Sequence, residues 1–174
     1  AAFPAFSRLF VRDPDPLKRL MSKSFNTLLL IGVPIGLGLV AIANPLVSLL
    51  FGSEFANSGP ILAVLGIVLI LDFQNILVGK FLISTDKQNI WTFVMAIATV
   101  MTILLDILLI PWCQVQFNNG AIGGALAFVV TESFMLICGL VLLPAGTLDR
   151  TNLSAAVRIL FAGALMALVV LKLQ

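Results

Sequence analysis

The sequence predicts an all-α fold, a polytopic membrane helix bundle of about five transmembrane helices, and three observations carry that prediction. Apolar residues fill 60% of the 174 positions and charged residues 10%, with no His and no Tyr, which is too little polar surface to cover a water-soluble domain of this length. The mean hydropathy is +1.15. Polar punctuation divides the chain into five apolar stretches, near 25–51, 60–84, 89–111, 120–143 and 153–172, each long enough as a helix to cross about 30 Å of hydrocarbon. They are apolar on every face, which excludes the alternating pattern of a membrane β-barrel.

Residues 1–24 read as a cytoplasmic-side segment carrying the start of the first helix, and 25–174 as the transmembrane bundle. In "RDPDPLKRLMSKSF", Asp15 is placed to cap a helix whose first position is Pro16, where a missing N–H costs nothing. The first span contains "IGVPIGLGLV". Pro34 removes a backbone hydrogen bond there, so a hinge is expected at Gly32, Pro34 and Gly36; a tight helix crossing at Gly32 and Gly36 is the compatible alternative. "FGSEFANSGPIL" makes a short outer loop, with Pro60 opening the second span. Trp91 and Trp112 bracket the third span; their 21-residue separation corresponds to about 31 Å of helix, which expects one indole at each interface. The outer loop 112–119, "WCQVQFNN", leads into the fourth span. Cys113 and Cys138 are then about 28 Å apart along the membrane normal, too far for a disulfide, and read as small apolar filler.

Orientation follows the basic residues. Arg8, Arg12, Lys18, Arg19, Lys23, Lys80, Lys87, Arg150 and Arg158 all fall on the side of the N-terminus, and Lys172 alone lies opposite. The expected arrangement is a multi-pass protein of the cytoplasmic (inner) membrane with a cytoplasmic N-terminus. Five spans after a first residue other than Met point to one part of a longer protein.

Ionisable groups inside a bilayer cost about 2.5–3.5 kcal/mol each on insertion scales, so each calls for a reason. Asp72 lies mid-span in "LILDFQNILVGK", with Asn75 and Gly79 on its face and Lys80 farther round. Glu132 lies mid-span on the fourth helix, on a face with Ala121, Ala125, Phe128 and Gly139, with Gly120 and Gly124 adjacent, a small-residue seam that shields an acid from lipid. Asp106 ends a threonine stripe of Thr92, Thr99 and Thr102, which reads as interhelical glue or as a pathway. Asp72, Glu132 and Asp106 are the candidates for proton or cation coupling; a structural hydrogen bond between spans is the competing account. Lys80, Arg158 and Arg8 either snorkel or bind an anionic headgroup such as a lipid pyrophosphate.

No soluble-enzyme constellation is present. Without His there is no conventional triad or zinc site, and no Gly-rich phosphate loop precedes a Lys and Ser/Thr pair. Neither a metal nor a cofactor is expected. The basic N-terminal segment favours membrane lipid over nucleic acid.

Several stretches, in order, resemble the oligosaccharide flippases of the multidrug/oligosaccharidyl-lipid/polysaccharide exporter superfamily. They are "PAFSRL" at 4–9, "VPIGLGLVAIANPLVSLLFGSEF" at 33–55, "ILAVLGIVLIL" and "LISTDKQN" in the second span and its inner turn, and most specifically "LLDILLIP" followed, after a loop, by "GAIGGALAFVVTE" at 120–132. The family more often carries Asn where Asp106 stands, and the loop here is longer than its usual Gly-containing connection. The resemblance implies a 12- to 14-span transporter of two similar bundles, with this chain most of the C-terminal one and the N-terminal bundle as its missing partner. It also implies a role in polysaccharide biosynthesis or export, in which a polyprenyl-pyrophosphate-linked oligosaccharide crosses the cytoplasmic membrane by alternating access. A cation-coupled multidrug exporter of the same superfamily is the alternative within transport, favoured by the mid-span carboxylates. A membrane scaffold subunit without a transport cycle is the alternative outside it.

Overall fold

The computed structural model describes residues 14–173. They form five helices, α1 (Pro14–Phe51), α2 (Gly59–Ser84), α3 (Gln88–Phe117), α4 (Ala121–Leu142) and α5 (Arg150–Lys172), with a 3-10 turn, Ser53–Ser58, between the first two. No strand occurs among the described residues. All five are long and apolar enough to cross a membrane, and their outward faces are greasy: Phe93, Ile107, Leu108, Phe161 and Val169 are all more than half exposed. In water such a surface would aggregate, whereas in hydrocarbon it is the solvent-facing side. The chain is a multi-pass membrane protein.

α1 runs unbroken through Pro34 and Pro45. Pro34 has no N–H to offer the Leu30 carbonyl, yet the helix continues because tertiary packing holds both of its flanks. Gly36 lies so close to α2 that a Cβ there would collide with the Gly66 carbonyl oxygen, and a Cβ on Gly66 would lie 2.6 Å from the Gly36 oxygen. The two backbones therefore touch at a small-on-small crossing. Gly32 faces the Phe73 ring. This is the packing role expected of Gly32 and Gly36, and it leaves a hinge role to be tested.

α2 and α3 each end at a left-handed residue. α2 stops where Asp86 turns left-handed (φ 58) and the Lys87 N–H reaches back to the Leu82 carbonyl at 3.0 Å, a Schellman closure made without glycine. α3 differs from expectation. It passes through Pro111 to Phe117 and ends at Asn118, which is left-handed with φ 51, so most of the expected loop 112–119 is helical and Cys113 is buried within it. Pro111 withholds one N–H from its own helix, but the turns beyond it carry Trp112, Gln114 and Gln116 at the apolar–polar boundary, where polar side chains do not end a helix. The remaining boundaries lie within three residues of those expected, apart from the start of α1, which the sequence already placed ahead of its span.

The packing order is α5, α1, α2, α4, α3. α1 lies along both α2 and α5, and α4 lies along both α2 and α3. α2 and α3, although joined by a three-residue turn, touch only lightly. They splay apart, α4 closes the back, and a cleft opens between them. The core lines the other face of α2: Met21, Phe25, Leu29 and Val33 of α1 pack with Leu77, Val78, Phe81 and Leu82. At the end of the bundle that carries the 85–87 and 143–149 connections, Lys87 Nζ donates to the Leu142 carbonyl at 2.6 Å and Lys18 Nζ to the Ala145 carbonyl at 3.1 Å. Lys87 sits where the last carbonyl of α4 would otherwise be unpaired, and Lys18 pins the connection that follows it. At the opposite end Asn119 Nδ2 donates to the Asn57 carbonyl at 2.7 Å, joining the 3-10 turn to the α3–α4 connection.

Candidate functional site: a polar cleft between α2, α3 and α4

The splay of α2 from α3 produces a cleft of about 300 Å³. α2 contributes Asp72, Asn75, Gly79 and Lys80; α3 contributes Trp91 and Met95; α4 contributes Glu132 and Met135. Asp72 is 13 residues from Gly59 and 12 from Ser84, and Glu132 is 11 from Ala121 and 10 from Leu142, so each carboxylate stands at the midpoint of its helix. The cleft runs from there towards the 85–87 turn. Lys80 lies on its outer part, eight residues and about 12 Å of helix rise beyond Asp72.

The link between the two walls is Asn75. Its Nδ2 donates to Glu132 Oε2 at 2.7 Å and to the Glu132 backbone carbonyl at 2.8 Å. Both amide hydrogens are thereby used, and two oxygen acceptors on one residue fix which end of the amide points at α4. Asn75 Oδ1 is left buried with no hydrogen-bond partner. In an apolar interior an unmatched acceptor costs about 1–3 kcal/mol, so an oxygen held this way beside two carboxylates is a ready ligand for a proton donor or a cation. Among the described residues no cluster of three or more His, Cys, Asp and Glu forms, so a divalent-metal cage of that kind is absent there.

Trp91 forms the floor. Its indole lies against Gly79, where an added Cβ would be 2.8 Å from Nε1, and against Gly139, where one would be 3.2 Å from the ring. The expected interfacial anchor is instead 4% exposed, because two glycines on two other helices make room for it; Trp112 is exposed.

Two comparisons with known proteins bear on this arrangement. Residues 1–60 match the family model described as "Polysaccharide biosynthesis protein". Over 118 residues the chain is 22% identical to the probable low-salt glycan biosynthesis flippase Agl15 of Haloferax volcanii. Both matches support a polysaccharide flippase family. The second covers 68% of this chain and 25% of that flippase, so the chain spans about a quarter of the length of the relative it matches. No solved structure matches the chain.

The remaining candidates lie elsewhere. Asp106 does not reach the cleft. It sits on α3 facing α4, where a Cβ on Gly124 would lie 3.8 Å from its Oδ1, and that oxygen is buried without a partner. Of the threonine stripe only Thr102 bridges helices, through the Thr131 hydroxyl at 2.9 Å; Thr99 donates to its own helix at Met95. Arg158 is exposed on α5, and Arg8 lies outside the described residues. The small-residue seam of α4 is met in part, with Ala125 and Gly139 buried. Gly123, whose added Cβ would collide with the Leu109 carbonyl, makes the closest approach, while Ala121 and Phe128 are exposed.

Gln74 is the residue that the sequence pattern did not single out. It is 2% exposed, and neither Nε2 nor Oε1 has a partner. The only available signal was its place beside Asn75 in "LILDFQNILVGK".

Proposed function

We propose that this chain is part of a membrane transporter, rather than an enzyme, that moves a polyprenyl-pyrophosphate-linked oligosaccharide across the cytoplasmic membrane by alternating access, with a proton or monovalent cation exchanging at Asp72 and Glu132. One observation carries the reading. Two mid-helix carboxylates from different helices line one open cleft, and Asn75 in the same cleft ties α2 to Glu132 while its own carbonyl oxygen stays buried and unmatched. An inert anchor has no use for that arrangement, because each polar group placed at such depth costs stability. Lys80, farther out in the same cleft, is the described cation best placed to meet a pyrophosphate, ahead of the exposed Arg158; Arg8 stays a candidate outside the described residues. The hinge for the conformational cycle is assigned to Gly32, Pro34 and Gly36, and the other half of the transport path to a second bundle of the same protein.

Glu132→Gln and Asp72→Asn keep shape and hydrogen-bonding capacity while removing charge. In proteoliposomes of the full-length protein, each is expected to lower ion-driven transport of a lipid-linked oligosaccharide by about 5- to 150-fold, the typical size of a coupling between two sites, with unchanged yield and fold. Transport equal to the parent would end the coupling assignment. Two carboxylates against one lysine in the cleft also favour a second reading, export of organic cations. The same vesicles loaded with a fluorescent organic cation separate the two.

A further inference from the structure

We propose a phosphate-binding cleft at the end of the bundle, formed where the start of α1 meets the connection between α4 and α5, separate from the mid-membrane cleft and independent of the transport reading. It has a volume of about 150 Å³ and is lined by Lys18, Arg19, Ser22, Lys23, Thr147 and Asp149. At ~30 Å³ per water that is room for about five water molecules, or one phosphate group. Three cations face one carboxylate across it, a net positive lining suited to a tetrahedral oxyanion, while the Ser22 and Thr147 hydroxyls are spent on holding the walls.

The walls are held in place, which distinguishes this cleft from a stretch of basic surface. Asn152 is 3% exposed and gathers α1 and α5 into one knot: its Nδ2 donates to the Ser22 carbonyl, Ser22 Oγ and Asn26 Oδ1 at 2.9–3.2 Å. Its Oδ1 accepts the Asp149 backbone N–H and the Ser22 hydroxyl, each at 3.0 Å. The opposite rim is a tight turn in which Gly146 is left-handed (φ 77) and the Thr147 hydroxyl donates to the Pro144 carbonyl at 2.6 Å. Lys18 spans the cleft to the Ala145 carbonyl and keeps two further N–H donors for a ligand. Arg19 and Lys23 lie on the neighbouring helical face with their ends exposed. Such a site, at the membrane surface and fixed on both sides, recognises the phosphate of an acidic phospholipid headgroup or a free phosphate ion.

The test uses Arg19→Gln/Lys23→Gln, a double variant that leaves the Lys18 bridge and the Asn152 knot intact and so preserves the fold. Retention of phosphatidylglycerol by the whole protein in detergent micelles doped with that lipid is measured by native mass spectrometry, with Lys172→Gln at the far end as control. At about fivefold per basic residue beside anionic lipid, the double variant is expected to bind roughly 25-fold more weakly, and the control to match the parent. Inorganic phosphate is then added against chloride at equal ionic strength. Displacement by phosphate alone assigns the cleft to free phosphate; retention against both, with loss in the double variant, assigns it to the lipid headgroup. Equal binding by parent and double variant, or equal displacement by chloride and phosphate, overturns the proposal.

Discussion

Asn75 sets the chemistry of its surroundings by what it leaves unmatched as much as by what it bonds. Its amide hydrogens are both spent on Glu132, so Asn75→Leu strips the carboxylate of its donor; hydrogen bonds to charged groups contribute about 1.5–3 kcal/mol, and the orphaned partner sets the cost. Removing both partners is different: Asn75→Leu/Glu132→Leu leaves neither group stranded and adds apolar contact at a helix interface. Unfolding in detergent is therefore expected to show Asn75→Leu destabilised by about 1.5–3 kcal/mol and the double variant close to the parent. A double variant that loses as much as the two single ones combined would mean that the bond does not couple the helices. Asp72 and Glu132 were legible in the sequence because a charge amid apolar residues announces itself at a known depth. Gln74 was not, because nothing in a linear pattern tells a glutamine that finds a partner from one buried with both amide atoms unmatched.

Helices are positioned here by the places where backbones touch. Gly36 and Gly66 meet carbonyl to Cα, and a methyl group at either would press on backbone, which cannot rotate away as a side chain can. Gly38, two residues on, has room: an added Cβ would meet only the Met166 methyl at 3.7 Å. The same substitution on one helix should thus have opposite outcomes. Gly36→Ala is expected to destabilise by about 1–3 kcal/mol through overpacking, whereas Gly38→Ala is expected to be neutral or to stabilise by up to about 1 kcal/mol through helix propensity. Thermal unfolding in one detergent compares them directly, and equal losses would show that the α1–α2 crossing is looser than the structure has it. The five spans were readable because runs of about 20 apolar residues have only one stable form in a bilayer. The extra turns of α3 beyond Pro111 were not, since both proline and a polar run ordinarily mark an end, and the left-handed Asn118 that ends it has no signal as strong as glycine. The burial of Trp91 was equally hidden: the space it fills is made by Gly79 and Gly139, residues distant in sequence that only the packing of three helices brings together.

Across the whole molecule, charge is sorted by end. Lys18, Lys87 and the knot around Asn152 gather where α1 starts and the 85–87 and 143–149 connections lie; the Lys87 ammonium closes the carbonyl end of α4 and Lys18 holds the connection after it. The other end is built from Asn57, Gln114 and Asn119, with amide bonds in place of cations. Basic residues resist translocation whereas amides do not, so the cationic end should face the cytoplasm. The exposed, left-handed turn residues Asp86 and Asn118 mark the two ends. With Cys113→Ala and Cys138→Ala as background, Asn118→Cys is expected to react with a membrane-impermeant maleimide on intact cells, and Asp86→Cys only after the membrane is opened. The reverse pattern would invert the molecule. It would then put the mouth of the Asp72–Glu132 cleft, which opens towards the 85–87 turn, on the outer side, and the transport cycle would have to load its cation there instead of releasing it.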